Sequence, residues 1–358
     1  MPQAEALGLN THSGMLRRMR PRPISNPPNP YRTTEVDYLG EPPSVPVSFY
    51  EDATRSIVAR NDSPDVGFEF SVNPYRGCQH ACAYCFARPG HEYLGFGAGT
   101  DFETRIAVKP DAPKLLREAF EKPSWKGELI VFSGVTDCYQ PIEASLKLTR
   151  QCLQVCAEFR NPIGIITKAP LVERDIDVLQ ELTAVANARV NVSIPFWNKE
   201  HARAIEPFVA TPERRIETVR RLSEAGIAVN VMVAPIIPGL SDEGLAHVLT
   251  AAREAGARSA GYVLLRLPGS VKQVFEERLR ASLPDRAERV LHRIRETRDG
   301  KLYDPRWRKR QTGEGIYAEA IATLFDSTVK RLAFPGMPPP RVGTFKRPPK
   351  AGEQLRLL

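Results

Sequence analysis

The 358-residue sequence has no apolar run approaching the roughly 18 residues that a membrane-spanning helix needs. Its best stretch, 229–240, is interrupted by Asn230, Pro235 and Pro238. A membrane span is therefore excluded and a soluble protein is expected. The N-terminus also lacks the basic-then-apolar order of a secretory signal, with Glu5 early and prolines where an apolar core would lie. The sequence thus points to the cytosol, where thiols stay reduced. Cysteine is scarce as well, at six residues. In a reducing compartment six cysteines read as ligands, catalytic groups or core residues and not as a disulfide framework.

What is present is ordinary for a globular chain: 42% hydrophobic and 26% charged residues, enough to bury a sizeable core. Proline is the exception, with 32 residues, of which nine fall within 1–46 and six within 331–350, so both ends read as tails. The net charge of +8 is uneven: 293–310 carry eight Lys/Arg against three acids, and 330–358 carry seven against one. Such an excess can attract a polyanion, and Tyr303 and Trp307 among Arg306, Arg308, Lys309 and Arg310 add stacking surfaces. Nucleic acid is thus a candidate partner through the basic C-terminal region. A solvated tail explains the same charge.

From about residue 64 to 270, short β-branched runs alternate with amphipathic stretches of 12–18 residues, the pattern of repeated βα units on a parallel sheet. Strands are predicted at Phe68–Asn73, Leu129–Ser133, Gly164–Thr167, Val190–Pro195, Ala228–Ala234 and Gly261–Leu267. Helices are predicted at Glu143–Arg160, Glu173–Ala186, Pro212–Ala225 and Asp242–Ala255, the third opened by Thr211 and closed by Gly226. Three further helices, Val271–Ser282, Arg286–Thr297 and Gly315–Leu332, follow. The expected fold class is α/β, a partial (β/α)6 parallel barrel with a mostly helical C-terminal extension and Pro-rich tails. It divides into an arm over 1–60, the barrel over 61–270 and the extension with its basic tail over 271–358. Reactive groups of such a barrel belong just after the carboxyl ends of the strands.

Directly after the first predicted strand stands Cys78-Gln-His-Ala-Cys82-Ala-Tyr-Cys85-Phe86, a C-x3-C-x2-C spacing. Three thiolates on one short loop can hold three irons of a [4Fe–4S] cube and leave the fourth open. A structural zinc completed by His80 or His91, or an exchange pair made of Cys82 and Cys85, are the alternatives.

This loop resembles the motif of the radical S-adenosylmethionine (radical SAM) superfamily, which has an aromatic before the last cysteine, here Tyr84. The resemblance implies that Cys78, Cys82 and Cys85 ligate a [4Fe–4S] cluster whose unique iron chelates the amino and carboxylate groups of S-adenosylmethionine. It implies further that one electron from an external low-potential donor breaks the sulfonium bond, and that the 5′-deoxyadenosyl radical takes a hydrogen atom from the substrate. Tyr84 would then pack near the adenine. After the second strand, Ser133-Gly134-Val135-Thr136-Asp137-Cys138 stands where superfamily members hold the methionine amino group, with Asp137 as acceptor. An Asp capping the next helix is the other reading of that residue.

Within the superfamily the chain is most similar to the spore-photoproduct-lyase-like branch, also labelled DNA repair photolyases, over about residues 72–268. Thr136-Asp137, Thr167-Lys168, Ser193, Glu206-Pro207, Arg215, Gly226 and Val233–Ile236 stand where that branch places similar residues. The similarity implies contacts from Asp137, Lys168 and Ser193 to S-adenosylmethionine. Spore photoproduct lyases carry a hydrogen-donating cysteine just before the Ser/Thr-Asp pair, and here that position is Val135. Cys138 is the candidate substitute donor. Cys152 and Cys156, one helical turn apart, lie in an apolar stripe and read as core. Trp197, Asn198 and Arg266 follow strands at positions suited to substrate contact. The leading functional expectation is a radical SAM enzyme acting on nucleic acid. One acting on a peptide or small molecule, and a non-catalytic metal- or cluster-binding module, are its competitors.

Overall fold

A computed structural model describes residues 46–349. Most of the expected N-terminal arm and the end of the basic tail lie outside the described residues. Ten strands are formed: β1 (Ser48–Glu51), β2 (Val58–Arg60), β3 (Phe70–Val72), β4 (Tyr75–Arg76), β5 (Arg105–Val108), β6 (Ile130–Phe132), β7 (Ile163–Thr167), β8 (Ala188–Ser193), β9 (Ala228–Ile236) and β10 (Ser259–Leu264). A seven-stranded sheet has the order β10-β9-β8-β7-β6-β3-β2. Its first six members run parallel and in chain order, with β4 and β5 of the second sheet intervening between β3 and β6, and β2 is antiparallel on the β3 edge. These six parallel strands are the six expected, because apolar β-branched runs separated by helices can be covered only on both faces.

The main helices are α1 (Ala112–Glu121), α2 (Leu148–Glu158), α3 (Ile176–Val185), α4 (Lys199–Ile205), α5 (Pro212–Glu224), α6 (Leu245–Glu254), α7 (Val271–Ser282), α8 (Pro284–Glu296) and α9 (Ile316–Leu332). The helix expected from Glu143 to Arg160 is broken at Lys147, whose φ is +54°. The buried Glu143 carboxylate causes the break: it accepts from the Thr149 and Arg150 amides and so caps α2 from inside the chain. A second, three-stranded sheet, β1-β5-β4, was invisible in the alternating pattern. Its strands are two to four residues long, too short to show a period. Residues 48–60, grouped with the N-terminal arm on sequence grounds, thus supply a strand to each sheet.

The Pro-rich stretch after α9 is a strap across the amino ends of the strands. The Gly336 amide donates to the Arg258 carbonyl just before β10 and its carbonyl accepts from Arg258 Nε, and Arg341 is held by Asn187 just before β8. The Lys346 amide reaches the Phe159 carbonyl, and Arg347 donates to the carbonyls of Phe120, Lys122 and Trp125. Phe345 packs on Phe120 and Phe159 with ring centroids 6.0 and 6.1 Å apart. It closes over Gly127, where a Cβ would fall 2.2 Å from that of Phe345. The described part of the basic tail is therefore bound to the barrel floor, away from the carboxyl ends of the strands. Phe345→Ala is expected to cost about 2 kcal/mol, the lower end for an aromatic that is only partly buried. A lowered urea midpoint with unchanged chemistry at the opposite end would be the measured result.

Candidate functional site

The three-cysteine loop lies where the barrel expectation put it, just past the carboxyl end of β3. Its course is a series of tight turns, Ala81 N to Cys78 O, Cys85 N to Cys82 O and Arg88 N to Cys85 O, each 3.2 Å. All three thiols are free, Cys78 and Cys82 are buried and Cys85 is half-buried. They are close enough to act on one another: burial pushes the Cys82 thiol well up, and the charges of Cys78 and Cys85 push it further while Lys168 opposes them. Burial and Cys78 raise Cys85 likewise, against the pull of Arg88 and Lys168.

Four attachments fix the loop. The fully buried Arg88 wraps its guanidinium round the loop, donating to the Cys82 carbonyl from Nε (3.0 Å) and Nη2 (2.8 Å). It also reaches the Ala98 and Gly99 carbonyls and pairs with Glu103 at 2.6 Å. Gln79 and Gln140 form a reciprocal clamp: the Gln79 amide donates to Gln140 Oε1 while Gln79 Oε1 accepts from the Ile142 amide. The Ala83 amide donates to the Ile205 carbonyl at the end of α4, and the Tyr84 hydroxyl donates to the buried Glu206. The sequence reading missed Arg88, Gln79 and Gln140 because their partners lie 6–63 positions away and no spacing announces them.

The turn after β6 is built to be rigid. Ser133 has φ +71° and its Oγ accepts from the Cys138 amide at 2.7 Å. Gly134 has no room for a side chain, since a Cβ there would come 2.9 Å from that of Ser71. The Val135 amide is held by Asn73 Oδ1 and the Thr136 hydroxyl donates to the Tyr75 carbonyl, which ties the turn to the start of the cysteine loop.

Asp137 is the hub. Its Oδ1 accepts from the Tyr139 amide (2.9 Å) and the Thr167 hydroxyl (2.8 Å). Its Oδ2 accepts from the Lys168 amide (2.8 Å) and lies 3.4 Å from His80 Nδ1. A carboxylate has about four acceptor sites, so this one is fully used by the protein. Burial opposes its charge, yet His80 and these donors hold its pKa down at about 2. His80 is desolvated too, but Cys78 and Asp137 outweigh that and push it up to about 10. Asp137 therefore braces the ends of β6 and β7 against the cysteine loop and is not a free acceptor.

Lys168, half-buried after β7, places Nζ 5.7 Å from the Tyr84 ring centroid. Despite burial it is raised by Cys82 and Glu206. Ser193, at the end of β8, is buried, and its carbonyl accepts from Arg215 at 2.9 Å. Cys138 corrects the sequence expectation. It is 1% exposed within the main apolar core with Cys152 and Cys156, its amide and carbonyl engaged by Ser133 and Thr149. Burial pushes its thiol well up. A donor to a product radical must reach the mouth, and Cys138 does not. Trp197 is stacked on His247 of α6, ring centroids 5.7 Å apart, and Asn198 caps α4. Arg266 alone of the three expected substrate contacts faces the loop, its guanidinium 5.8 Å from the ring of the exposed Phe86.

The zinc alternative also fails on geometry. His80 is turned to Asp137, and His91 is packed between Phe96 and Phe102. Among the described residues no three His, Cys, Asp or Glu side chains converge as ligands of one ion. Thiolates on separate irons of a cube stand farther apart than ligands of a single zinc. Cys138, Cys152 and Cys156 are committed to the core, which leaves three thiols and no fourth cysteine for a cube. Arg88, Lys168 and His80 supply positive charge for three thiolates, two of them buried and one half-buried. The residues therefore fit such a cluster.

His91 yields a pH prediction. Burial lowers its pKa to about 4, with Arg88 adding to the effect and Asp101 and the backbone of Arg105 opposing it, and Nε2 has no partner. In the unfolded chain it titrates near 6.5. Its contribution is thus fully present above about pH 6.5 and is lost as pH falls towards 4, by about 3 kcal/mol. His91→Phe should flatten this part of the stability profile in chemical denaturation. An unchanged slope would refute the assignment.

The basic loop 304–310 borders the barrel's open side. Arg298 donates to the Leu265 carbonyl at the end of β10 and to the carbonyls of Lys309 and Arg310. Arg308 and Arg310 bind Asp65 between β2 and β3. The loop thereby joins the two edges of the sheet. Much of its charge is already spent: Arg306 pairs with Asp304 and Glu314, and Lys309 with Glu314. Trp307 is 51% exposed with the Arg310 guanidinium 3.8 Å from its ring centroid.

A parallel α/β sheet with three clustered thiols after its first parallel strand defines a cluster-binding barrel enzyme class. A family profile described as the Radical SAM superfamily matches residues 72–252, half of the chain, and the protein belongs to that superfamily. Its members use a [4Fe–4S] cluster and S-adenosylmethionine and require an external reductant. An uncharacterized protein of Mycobacterium tuberculosis is 35% identical over 269 residues, 74% of this chain and 77% of its own length. A radical SAM Nalpha-GlyT isomerase of Pseudomonas phage M6 is 24% identical over 211 residues, 58% of this chain and 42% of that one. Among solved structures, a mutant spore photoproduct lyase superposes with TM-score 0.55 at 14% identity, covering 80% of each chain. Another, with bound AdoMet and dinucleoside spore photoproduct, gives 0.52 at 16% over the same shares. At such identity the likeness is one of fold. No described helix is long and apolar enough to cross a membrane.

Proposed function

We propose that Cys78, Cys82 and Cys85 hold a site-differentiated [4Fe–4S] cluster and that S-adenosylmethionine sits between this loop and the ends of β6, β7 and β8. When bound, the pair supplies one electron to the sulfonium and so a 5′-deoxyadenosyl radical for hydrogen abstraction. The carrying observation is the grouping of three free thiols on one loop past the carboxyl end of β3, with the other three cysteines buried in the main core. Lys168 is the cation for the ligand's carboxylate, reaching over the Tyr84 ring as it does. Ser193 lies at the edge of that space. The Ser133–Thr136 turn, stiffened by Ser71, Asn73 and Tyr75, lines the side towards the methionine amino group. Asp137 acts in this reading by holding Lys168 and the turn in place. The cytosol, where the thiols stay reduced, suits such a site.

For the substrate, nucleic acid is favoured by two cation–aromatic pairs beside the mouth, Arg266 with Phe86 and Arg310 with Trp307, which suit bases and phosphates together. The spore-photoproduct-lyase-like fold agrees. With valine at 135 and Cys138 buried, hydrogen return to a thymine product in the manner of that lyase has no thiol donor here, so the reaction outcome differs. A peptide or small-molecule substrate is the second reading, favoured by the carboxylates that already neutralise Arg306, Lys309 and Arg310. The test is anaerobic reconstitution, reduction and assay for 5′-deoxyadenosine, then transfer of deuterium into it from labelled oligonucleotides or peptides. Absence of 5′-deoxyadenosine from cluster-loaded protein would leave only a non-catalytic cluster-binding role. Label arriving from peptides alone would replace the nucleic-acid reading.

A further inference from the structure

Tyr84 stands between two of the cysteines, yet its hydroxyl points away from them into a buried ionic chain. It donates to Glu206 Oε1, while Glu206 Oε2 pairs with Arg215 Nη2 at 2.6 Å. Arg215 Nη1 then donates to the carbonyl of Ser193, the last residue of β8, at 2.9 Å. Glu206 and Arg215 are each 1% exposed. One residue before Tyr84, the Ala83 amide donates to the Ile205 carbonyl at 3.0 Å, one residue before Glu206. The loop is thus stitched to the α4–α5 connection by adjacent backbone and side-chain bonds, and from there to the end of β8.

A buried ion pair is a poor way to gain stability, since its desolvation roughly cancels its attraction, and Arg215 Nε is even left without a partner. What the pair does supply is direction, because a guanidinium fork and a carboxylate accept only narrow geometries. The chain runs from the cluster loop to Ser193, at the edge of the space proposed above for S-adenosylmethionine.

We propose that Tyr84, Glu206 and Arg215 form a positioning relay that fixes the distance between the cluster loop and the end of β8, and so between the cluster and the bound sulfonium. The proposal rests on the radical SAM reading above, and its failure is separable from that one. The Glu206 charge also acts on Cys82 and Lys168, so Tyr84→Phe, which leaves that charge in place, isolates the geometric effect. A misplacement on the order of 1 Å can cost about a hundredfold in rate.

The test uses the full-length reconstituted protein with Tyr84→Phe, Glu206→Gln and both together. Iron content and the electron paramagnetic resonance spectrum of the reduced cluster are recorded with and without S-adenosylmethionine, beside the rate of 5′-deoxyadenosine formation per cluster. Tyr84→Phe is expected to retain its iron, to respond to S-adenosylmethionine with an altered or heterogeneous spectrum, and to lose about tenfold or more in rate per cluster. The double variant should be no worse than Glu206→Gln alone, as for residues in one chain. Wild-type protein that builds no cluster would defeat the functional reading itself. With an active wild type, the relay is overturned by normal rate and spectrum in Tyr84→Phe, by losses confined to iron content, or by additive effects. Should Glu206→Gln fail to fold, Tyr84→Phe decides alone.

Discussion

Single replacement of Cys78, Cys82 or Cys85 by alanine is expected to abolish formation of 5′-deoxyadenosine, a loss of at least about a hundredfold and more than removal of any outer partner would give. In the proposed function each thiol would hold a separate corner of the cube, so removing one would leave an iron without its protein ligand. The three other cysteines cannot substitute, being buried in the main core, Cys152 and Cys156 on the inner face of α2. Iron and sulfide content after anaerobic reconstitution should fall with the activity, while Cys152→Ala should keep both. The fold itself should survive the three loop substitutions, because Arg88, the Gln79–Gln140 clamp and the Ala83 amide hold the loop without the thiols. Full iron retention in any of the three variants would remove the basis of the assignment.

Arg88→Ala has the largest expected effect on stability, about 3–5 kcal/mol, the range for breaking one side of a buried ion pair. Arg88 and Glu103 are both fully buried and 2.6 Å apart. Burial raises the Glu103 pKa, opposed first by Arg88 and then by Arg278, 3.9 Å away. Without Arg88 the carboxylate must take a proton or remain uncompensated. The Cys82, Ala98 and Gly99 carbonyls lose their donor at the same time. Arg88→Lys should recover only part of the loss, since a single ammonium cannot fork to four oxygens. Guanidinium or urea denaturation of the cluster-free protein gives the stability, and iron retention reports the loop. A midpoint unchanged in Arg88→Ala would show that the wrap is incidental.

Much of the site was legible because its logic is local. C-x3-C-x2-C with Tyr84 carries the family resemblance within eight residues, and the six parallel strands announce themselves as apolar runs between helices. Loop positions after strands were also readable, since parallel barrels place reactive groups there. Misreadings came where a residue's role depends on a distant partner. Asp137 looked like a free acceptor, but Thr167, Lys168, Tyr139 and His80 fill it. Cys138 looked available three residues from Val135, but the turn points it into the core. The Pro-rich basic tail read as a nucleic-acid contact or a solvated tail, whereas Phe345 and Arg347 bind its described part to the barrel floor across more than 200 positions.

The sequence alone determined the cluster motif, the parallel strands and the class of cofactor, because thiol spacing and hydrophobic period act over a few neighbouring residues. Tertiary structure alone decided which polar side chains are already satisfied and which remain open to a ligand. It also brought together the hydrogen-bonded chain from Tyr84 through Glu206 and Arg215 to β8. Hydrogen-bond capacity is finite, and only folding shows which groups have spent it on one another.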